Sequence, residues 1–149
     1  PFANVQNMIA GSVQGVEAWA TIQPLPAWRL SGGLSTLHKD LKVRPGSKDP
    51  TGPSALGNDP EYQWILRSTY NVTDRHEFDV TVRRIGALPS PAVPAYTAVD
   101  ARLGWRVNRD LEISVKLQNI FDPGHVEFGA APGRSEFQRG AFVGLSWRI

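Results

Sequence analysis

Apolar and polar residues alternate one for one along most of this chain, in runs longer than ordinary strands. From Ala95 to Asn108, Val99, Ala101, Leu103, Trp105 and Val107 fall on one side, against Asp100, Arg102 and Arg106 on the other. From Asp110 to Phe121, Leu111, Ile113, Val115 and Leu117 oppose Glu112, Ser114, Lys116 and Gln118. Arg75 to Ala87 sets Phe78, Val80 and Val82 against Asp79, Thr81 and Arg83. Glu61 to Val72 sets Tyr62, Trp64, Leu66 and Tyr70 against Gln63, Arg67 and Asn71, with Ile65 breaking the pattern. The last segment puts Val143, Leu145, Trp147 and Ile149 opposite Gly144, Ser146 and Arg148. A period of two places successive side chains on opposite faces of a strand, whereas a helix needs apolar residues three and four apart. Two earlier segments, Met8 to Gln23 and Trp28 to Lys39, complete about seven strands. An eighth is expected if Phe2 to Ile9 pairs separately.

The segments match the 9–11 residues of a membrane-crossing strand better than the 5–6 of an ordinary one. Connections alternate in length. Pro24–Ala27, Thr73-Asp74 and Asn108-Arg109 are tight, while Asp40 to Pro60, Leu88 to Pro94 and Asp122 to Arg134 are longer and carry Gly or Pro. Outer-membrane barrels join strands by short periplasmic turns and longer extracellular loops. The tight connections therefore mark the periplasmic side. On that assignment Trp28, Tyr70, Phe78, Trp105 and Trp147 lie near periplasmic strand ends and Tyr62, Trp64, Phe121 and Phe137 near the others. That is the two-belt placement expected of rings at the headgroup level, with Trp28, Trp64, Trp105 and Trp147 as belt tryptophans. Trp19 is the exception: it shares a side with Glu17 and is expected in the lumen. The fold expected is all-β, an antiparallel up-and-down meander of about seven or eight long strands.

Composition excludes several alternatives. The chain has no cysteine, so thiolate metal sites, disulfides and cysteine nucleophiles are out. No apolar run approaches the roughly 20 residues of a membrane helix, and Pro1-Phe2-Ala3-Asn4 does not read as a leader. The mean hydropathy of −0.27 suits a barrel, in which only alternate residues meet lipid. A net charge of +2 spread along the chain does not form the concentrated basic patch of a nucleic-acid binder.

Residues that could carry chemistry read better as structure. His125 and Glu127 are two ligands at most, too few for a metal site, and shape a loop. Glu17, Asp100 and Glu112 could serve acid/base chemistry if brought together. The better reading is that Glu17, Asp100, Arg102, Lys116 and Gln118 line a wet lumen, with the carboxylates paired to Arg102, Arg106 and Lys116. A basic residue facing lipid costs about 2–4 kcal/mol at midplane. Ser31-Gly32-Gly33 lacks a phosphate loop's lysine and helix, and its small residues allow close approach of a neighbour. Asn71-Val72-Thr73 is an accidental glycosylation triplet in a turn. Neither catalysis nor a metal or other cofactor is expected.

Several segments resemble TonB-dependent outer-membrane receptors. Gly15-Val16-Glu17-Ala18 with the Pro24–Trp28 turn is similar to one family strand and turn, and Ala95 to Trp105 to a strand of the penultimate hairpin. Leu117-Gln118-Asn119-Ile120-Phe121-Asp122 with His125-Val126-Glu127-Phe128 resembles the family's "vqNlfD…H.Ef" signature, which makes Asn119, Phe121, Asp122, His125, Glu127 and Phe128 the motif residues. Arg139-Gly140 through Trp147-Arg148 resembles the closing strand, although Ile149 stands where an aromatic is usual. The resemblance implies that residues 1–149 are the C-terminal segment of a barrel of about 22 strands, with an N-terminal plug domain absent from this chain. It further implies active import of a scarce small ligand, such as a ferric siderophore (an iron chelate) or cobalamin, across the outer membrane of a Gram-negative bacterium. The partners implied are outer-membrane lipid, the plug and the rest of the barrel, and TonB through a segment not in this chain. Two rivals stay open at this point. One is a small complete barrel of about eight strands acting as anchor or adhesin. The other is a soluble carbohydrate-binding β-sandwich.

Overall fold

A computed structural model describes residues 6–56 and 58–148. In chain order its strands are β1 (Ile9–Leu25), β2 (Trp28–Val43), β3 (Tyr62–Thr73), β4 (His76–Ile85), β5 (Leu88–Pro89), β6 (Ala92–Val93), β7 (Tyr96–Arg106), β8 (Leu111–Gln118), β9 (Gly124–His125), β10 (Phe137–Gln138) and β11 (Gly140–Trp147). Seven of them form one antiparallel sheet in the order β1-β2-β3-β4-β7-β8-β11. The others form two small ladders, β5 with β6 and β9 with β10. The Phe2–Ile9 strand expected from the sequence lies largely outside the described residues, as does Ile149.

Both rivals fail on this topology. Among the described residues β1 and β11 are the two ends of the sheet and do not pair with each other, so these strands form no small closed barrel. There is one layer, and among the described residues the only buried apolar side chains are Val93, Ala98 and Val126. A sandwich would bury a core between two sheets. Here Leu66, Val115, Val143 and Leu145 are all exposed.

Directly opposed residues in an antiparallel pair share a face, so the register carries each facing across the sheet. Leu34 opposes Trp64, which opposes Arg84, which opposes Thr97. Gly32 leads likewise to Leu66, Val82 and Val99, and Trp28 to Tyr70, Phe78 and Leu103. Leu103 opposes Val115, and Val115 opposes Val143. The side the sequence reads as apolar is thus one continuous face over all seven strands. A slip of one residue anywhere would break it.

The band on that face has limits. Beyond Val16 and Thr36, the apolar side of β1 and β2 becomes Gln14 opposite His38 and Ser12 opposite Asp40. From Thr36 back to Trp28 is ~26 Å along the strand at ~3.3 Å per residue, or ~20 Å along the membrane normal at ~40° tilt. Aromatic rings at both ends bring the band near the ~25 Å expected of a spanning barrel. Polar atoms within it find partners: Trp28 Nε1–H donates to Ser68 Oγ at 2.9 Å, and Arg84, at the upper limit, donates to Thr97 Oγ1 at 2.9 Å.

The loops differ most from expectation. β2 does not stop before Asp40 but runs to Val43, paired with β1 as far as Ile9. At ~3.3 Å per residue and ~40° tilt this hairpin of 17 and 16 residues outruns the ~30 Å hydrocarbon core, so its far end continues beyond the band. There the phase inverts: Leu37, Leu41 and Val43 fall on the side that is polar lower down, opposite His38, Asp40 and Lys42. The rest of the Asp40–Pro60 segment includes a 3-10 turn at Gly52–Leu56, held by Lys39, which donates to the Leu56 carbonyl and pairs with Asp59. Leu88–Pro94 is a tight ladder rather than an open loop. β8 ends at Gln118, short of Phe121. Phe121 therefore stands in the following turn and Phe137 in the β9–β10 ladder, so neither belongs to a belt on the seven-stranded sheet.

Candidate functional site

The opposite face is polar and bounds an open hollow of about 610 Å³, walled by Arg29, Arg67, Glu77, Asp79, Arg102 and Lys116 among others. The register puts Glu17, Asp100, Arg102, Lys116 and Gln118 all on this side, together with Trp19, which is 82% exposed. Trp28, Trp64, Trp105 and Trp147 fall on the apolar face.

Arg102 on β7 is the hub of the wall. Its Nη1 donates to Glu77 Oε1 at 2.9 Å and Asp79 Oδ2 at 3.0 Å on β4, and its Nη2 meets Glu112 on β8. Asp79 also accepts from Thr69 Oγ1 at 2.7 Å, extending the net to β3. One guanidinium thus ties β7 to β4 and β8, and Asp79 carries the link on to β3; its planar fork can serve several carboxylates at once. The pairing expected from sequence needs correction here. Glu112 does pair with Arg102, but Asp100 lies 3.4 Å from Arg83 and not on Arg102. Among the described residues no ion pair joins Glu17, Arg106 or Lys116 to a partner on this face. The reason is geometric: long side chains lean along the strands, so a residue reaches diagonal neighbours that sequence spacing does not reveal. Glu77, Asp79 and Arg83 were visible in sequence only as polar positions on the alternating pattern.

A second cluster joins the wall to the β8–β11 connection. Asn119 ends β8 with φ of +54°, a left-handed conformation that Asn tolerates better than most residues. Fully buried, it donates from Nδ2 to the carbonyls of Phe137 (3.1 Å) and Gln138 (3.3 Å), while its N–H donates to Asp100 Oδ1 at 3.0 Å. Asp122 accepts from the Gly124 N–H at 3.0 Å and lies 2.9 Å from His125 Nδ1. His125 Nε2 lies 3.0 Å from Glu127 Oε1, and Glu127 pairs with Arg83 at 3.2 Å. The His125 ring stacks on Tyr96 with centroids 4.0 Å apart and faces Phe137 at 6.5 Å; Phe137 meets Phe128 edge-on at 6.1 Å. Phe121 is 80% exposed and takes no part. Burial alone would raise the Glu127 carboxyl. Hydrogen bonds from His125 and Tyr96 and the charge of Arg83 outweigh it and hold the group below the usual range. Five of the six motif residues thus form one latch, Asp100–Asn119–Phe137 and Arg83–Glu127–His125–Asp122, with Phe128 at its edge. Tyr96 and Arg83 are members the motif does not include.

Sequence comparison finds the same architecture. The chain is 32% identical over 125 residues to the catecholate siderophore receptor Fiu of Escherichia coli K12, covering 76% of this chain and 16% of that protein. The same identity holds for Fiu of the uropathogenic strain UTI89. The structure superposes on the crystal structure of E. coli Fiu in its closed form with a TM-score of 0.70 at 27% identity, over 89% of this chain and 20% of that one. The chain belongs to the TonB-dependent outer-membrane receptors. It matches the C-terminal barrel portion of these receptors, and its place is the outer membrane of a Gram-negative bacterium. The siderophore receptor PiuA of Acinetobacter baumannii shares the fold, with a TM-score of 0.75 at 20% identity over 92% of this chain. No family model matches the chain. The chain spans about a sixth of the length of the curated relatives it matches, which are transport receptors and not enzymes.

Proposed function

We propose that these residues form the C-terminal wall of a receptor that actively imports a ferric siderophore of the catecholate type, drawing energy from TonB through a segment outside this chain. The observation that carries the reading is the match to a ferric-catecholate import receptor along 89% of the chain, in a sheet with one apolar and one polar face. On this reading the apolar face meets lipid, with Trp28, Trp64, Trp105 and Trp147 at its borders, and the polar face lines the lumen. Glu17, Asp100, Arg102, Lys116 and Gln118 stand in that lining, around an N-terminal plug. The motif residues latch an extracellular connection to the wall. No residue does covalent chemistry: carboxylates held in ion pairs with Arg102 and Arg83 serve architecture and ligand passage. Among the two ligand classes expected from sequence, a ferric siderophore is preferred over cobalamin because the matched relatives are siderophore receptors.

The test is uptake. The full-length receptor, expressed in iron-starved cells stripped of other siderophore receptors, should restore accumulation of a ferric catecholate complex and depend on TonB for it. Restoration of cobalamin uptake alone would overturn the ligand class. Accumulation that persists without TonB would overturn the mechanism.

A further inference from the structure

At the far end of β2, Leu37 and Leu41 stand on the side that is polar lower down, and there they bound a hollow of about 620 Å³. Pro53 of the 3-10 turn and Leu88 and Pro89 of the β5–β6 ladder supply further apolar wall. The rim is tied across by the Ser90 N–H, which donates to Asn58 Oδ1 at 3.3 Å. This volume lies within the ~300–1,000 Å³ of small-molecule sites, and apolar side chains gathered at a wet surface mark such sites.

Three charged residues line the same hollow: Lys39, Asp59 and Glu61. Lys39, the one cation among them, is already committed. It donates to the Leu56 carbonyl at 3.0 Å and pairs with Asp59. Glu61 stands beside Leu37, whose N–H donates to the Glu61 carbonyl at 2.8 Å. Among the described residues no ion pair compensates the Glu61 carboxylate. The hollow is therefore apolar with one uncompensated negative charge. A ferric catecholate centre is itself anionic, because the oxygens that hold Fe(III) are deprotonated, so it is repelled here. Apolar walls with a lone carboxylate fit an aliphatic chain that ends in an ammonium group.

Resting on the receptor reading above, we propose that this hollow is a specificity subsite for the non-chelating arm of the ligand. It takes an aliphatic arm with a cationic end, which pairs with Glu61, and discriminates against an arm ending in a carboxylate. The iron centre is held outside it.

The test measures binding by the purified full-length receptor, with heat-modifiable mobility as the check that each variant is folded. The probes are Fe(III) complexes of dihydroxybenzoyl amides that differ only in the arm: pentylamine, diaminopentane or aminohexanoic acid. The ammonium-ended complex should bind roughly fivefold tighter than the neutral one, as for one partly exposed ion pair, and the carboxylate-ended complex should bind weakest. Glu61→Gln should level the ammonium-ended and neutral complexes, and Glu61→Lys should reverse the order of the charged ones. Ala87 lines the hollow, so Ala87→Trp should fill it. That variant should bring the ammonium-ended complex down to the affinity of an armless methylamide complex and leave the latter unchanged. Equal affinities for the three arms would overturn the subsite while leaving the catecholate reading standing. So would an ammonium preference that survives in Glu61→Gln. A receptor that binds none of the complexes, the armless one included, would sink the catecholate reading and the subsite with it.

Discussion

Ile65 and Leu66 are adjacent on β3, both aliphatic, and nearly equal in exposure at 42% and 48%. Burial within the chain cannot distinguish them. Only the solvent each one faces can, since Leu66 lies on the apolar face and Ile65 on the polar one. Leu66 also belongs to the row Gly32–Leu66–Val82–Val99, midway between the Trp28 and Thr36 limits of the band. Arginine at a lipid-facing midplane position costs about 2–4 kcal/mol, which lowers the folding equilibrium constant by ~30- to ~1,000-fold. Leu66→Arg should pay that cost in full. Ile65→Arg, on the water side, should lose no more than about 1 kcal/mol of local apolar contact. The measurement is the folding equilibrium of the full-length receptor in lipid vesicles, followed by heat-modifiable mobility across a urea series. Phe78→Arg, on the same face but at the border, should cost only about 0–1 kcal/mol beyond loss of the ring. Equal penalties at Ile65 and Leu66, or the larger at Ile65, would refute the assignment of faces and with it the membrane reading.

Arg102→Met leaves Glu77, Asp79 and Glu112 side by side without their cation, and should cost about 1–3 kcal/mol in the same vesicle assay, with Arg102→Lys recovering only part. Asn119→Ala loses two hydrogen bonds and imposes left-handed strain, and should expose the 122–139 connection to protease on intact cells. Asn119→Gly, which keeps the conformation, should be cut more slowly. The Glu127 carboxyl is held below its ordinary value, so the latch gains stability above the unfolded value of about 4.3 and loses it as pH falls through the folded value. Limited proteolysis should find the connection closed near neutrality and down to about pH 4.3, then opening in stronger acid. Cleavage that starts on the alkaline side instead would contradict the sign.

How much of this was legible in sequence depended on whether one face met a contrasting solvent. β3, β4, β7, β8 and β11 alternate apolar with polar, and their facing and near-boundaries follow from period alone. Past Thr36 the phase inverts, with Leu37, Leu41 and Val43 on the side of Gly33 and Ser35, and the Gly- and Pro-bearing stretch beyond Val43 makes the segment from Asp40 read as loop. Strand ends drifted for a similar reason: Ile120 and Phe121 continue an apolar look past the point where Asn119 turns the chain. The ion pairs were the least legible. Asp100 and Arg102 are close in sequence and share a face, yet Asp100 turns to Arg83 because Asn119 takes its other oxygen and Arg102 is held by three carboxylates. That choice is made by side-chain reach across the register.

Arg83 therefore joins two parts of the molecule that the sequence kept separate. Through Asp100 it touches the wall of the barrel, and through Glu127 it touches the motif loop. Asn119 makes the same connection in backbone terms, its N–H on Asp100 and its side chain on Phe137 and Gln138. The signature stretch from Leu117 to Phe128 is then best understood as the hinge where the β8–β11 connection is fastened to the lining. Asn is suited to this position because it tolerates a left-handed turn while its buried amide still donates. Asp122 suits the next because one carboxylate can cap Gly124 and hold His125 against Tyr96. A loop fixed in this way keeps its shape, and its residues read as a motif because each holds a neighbour in place.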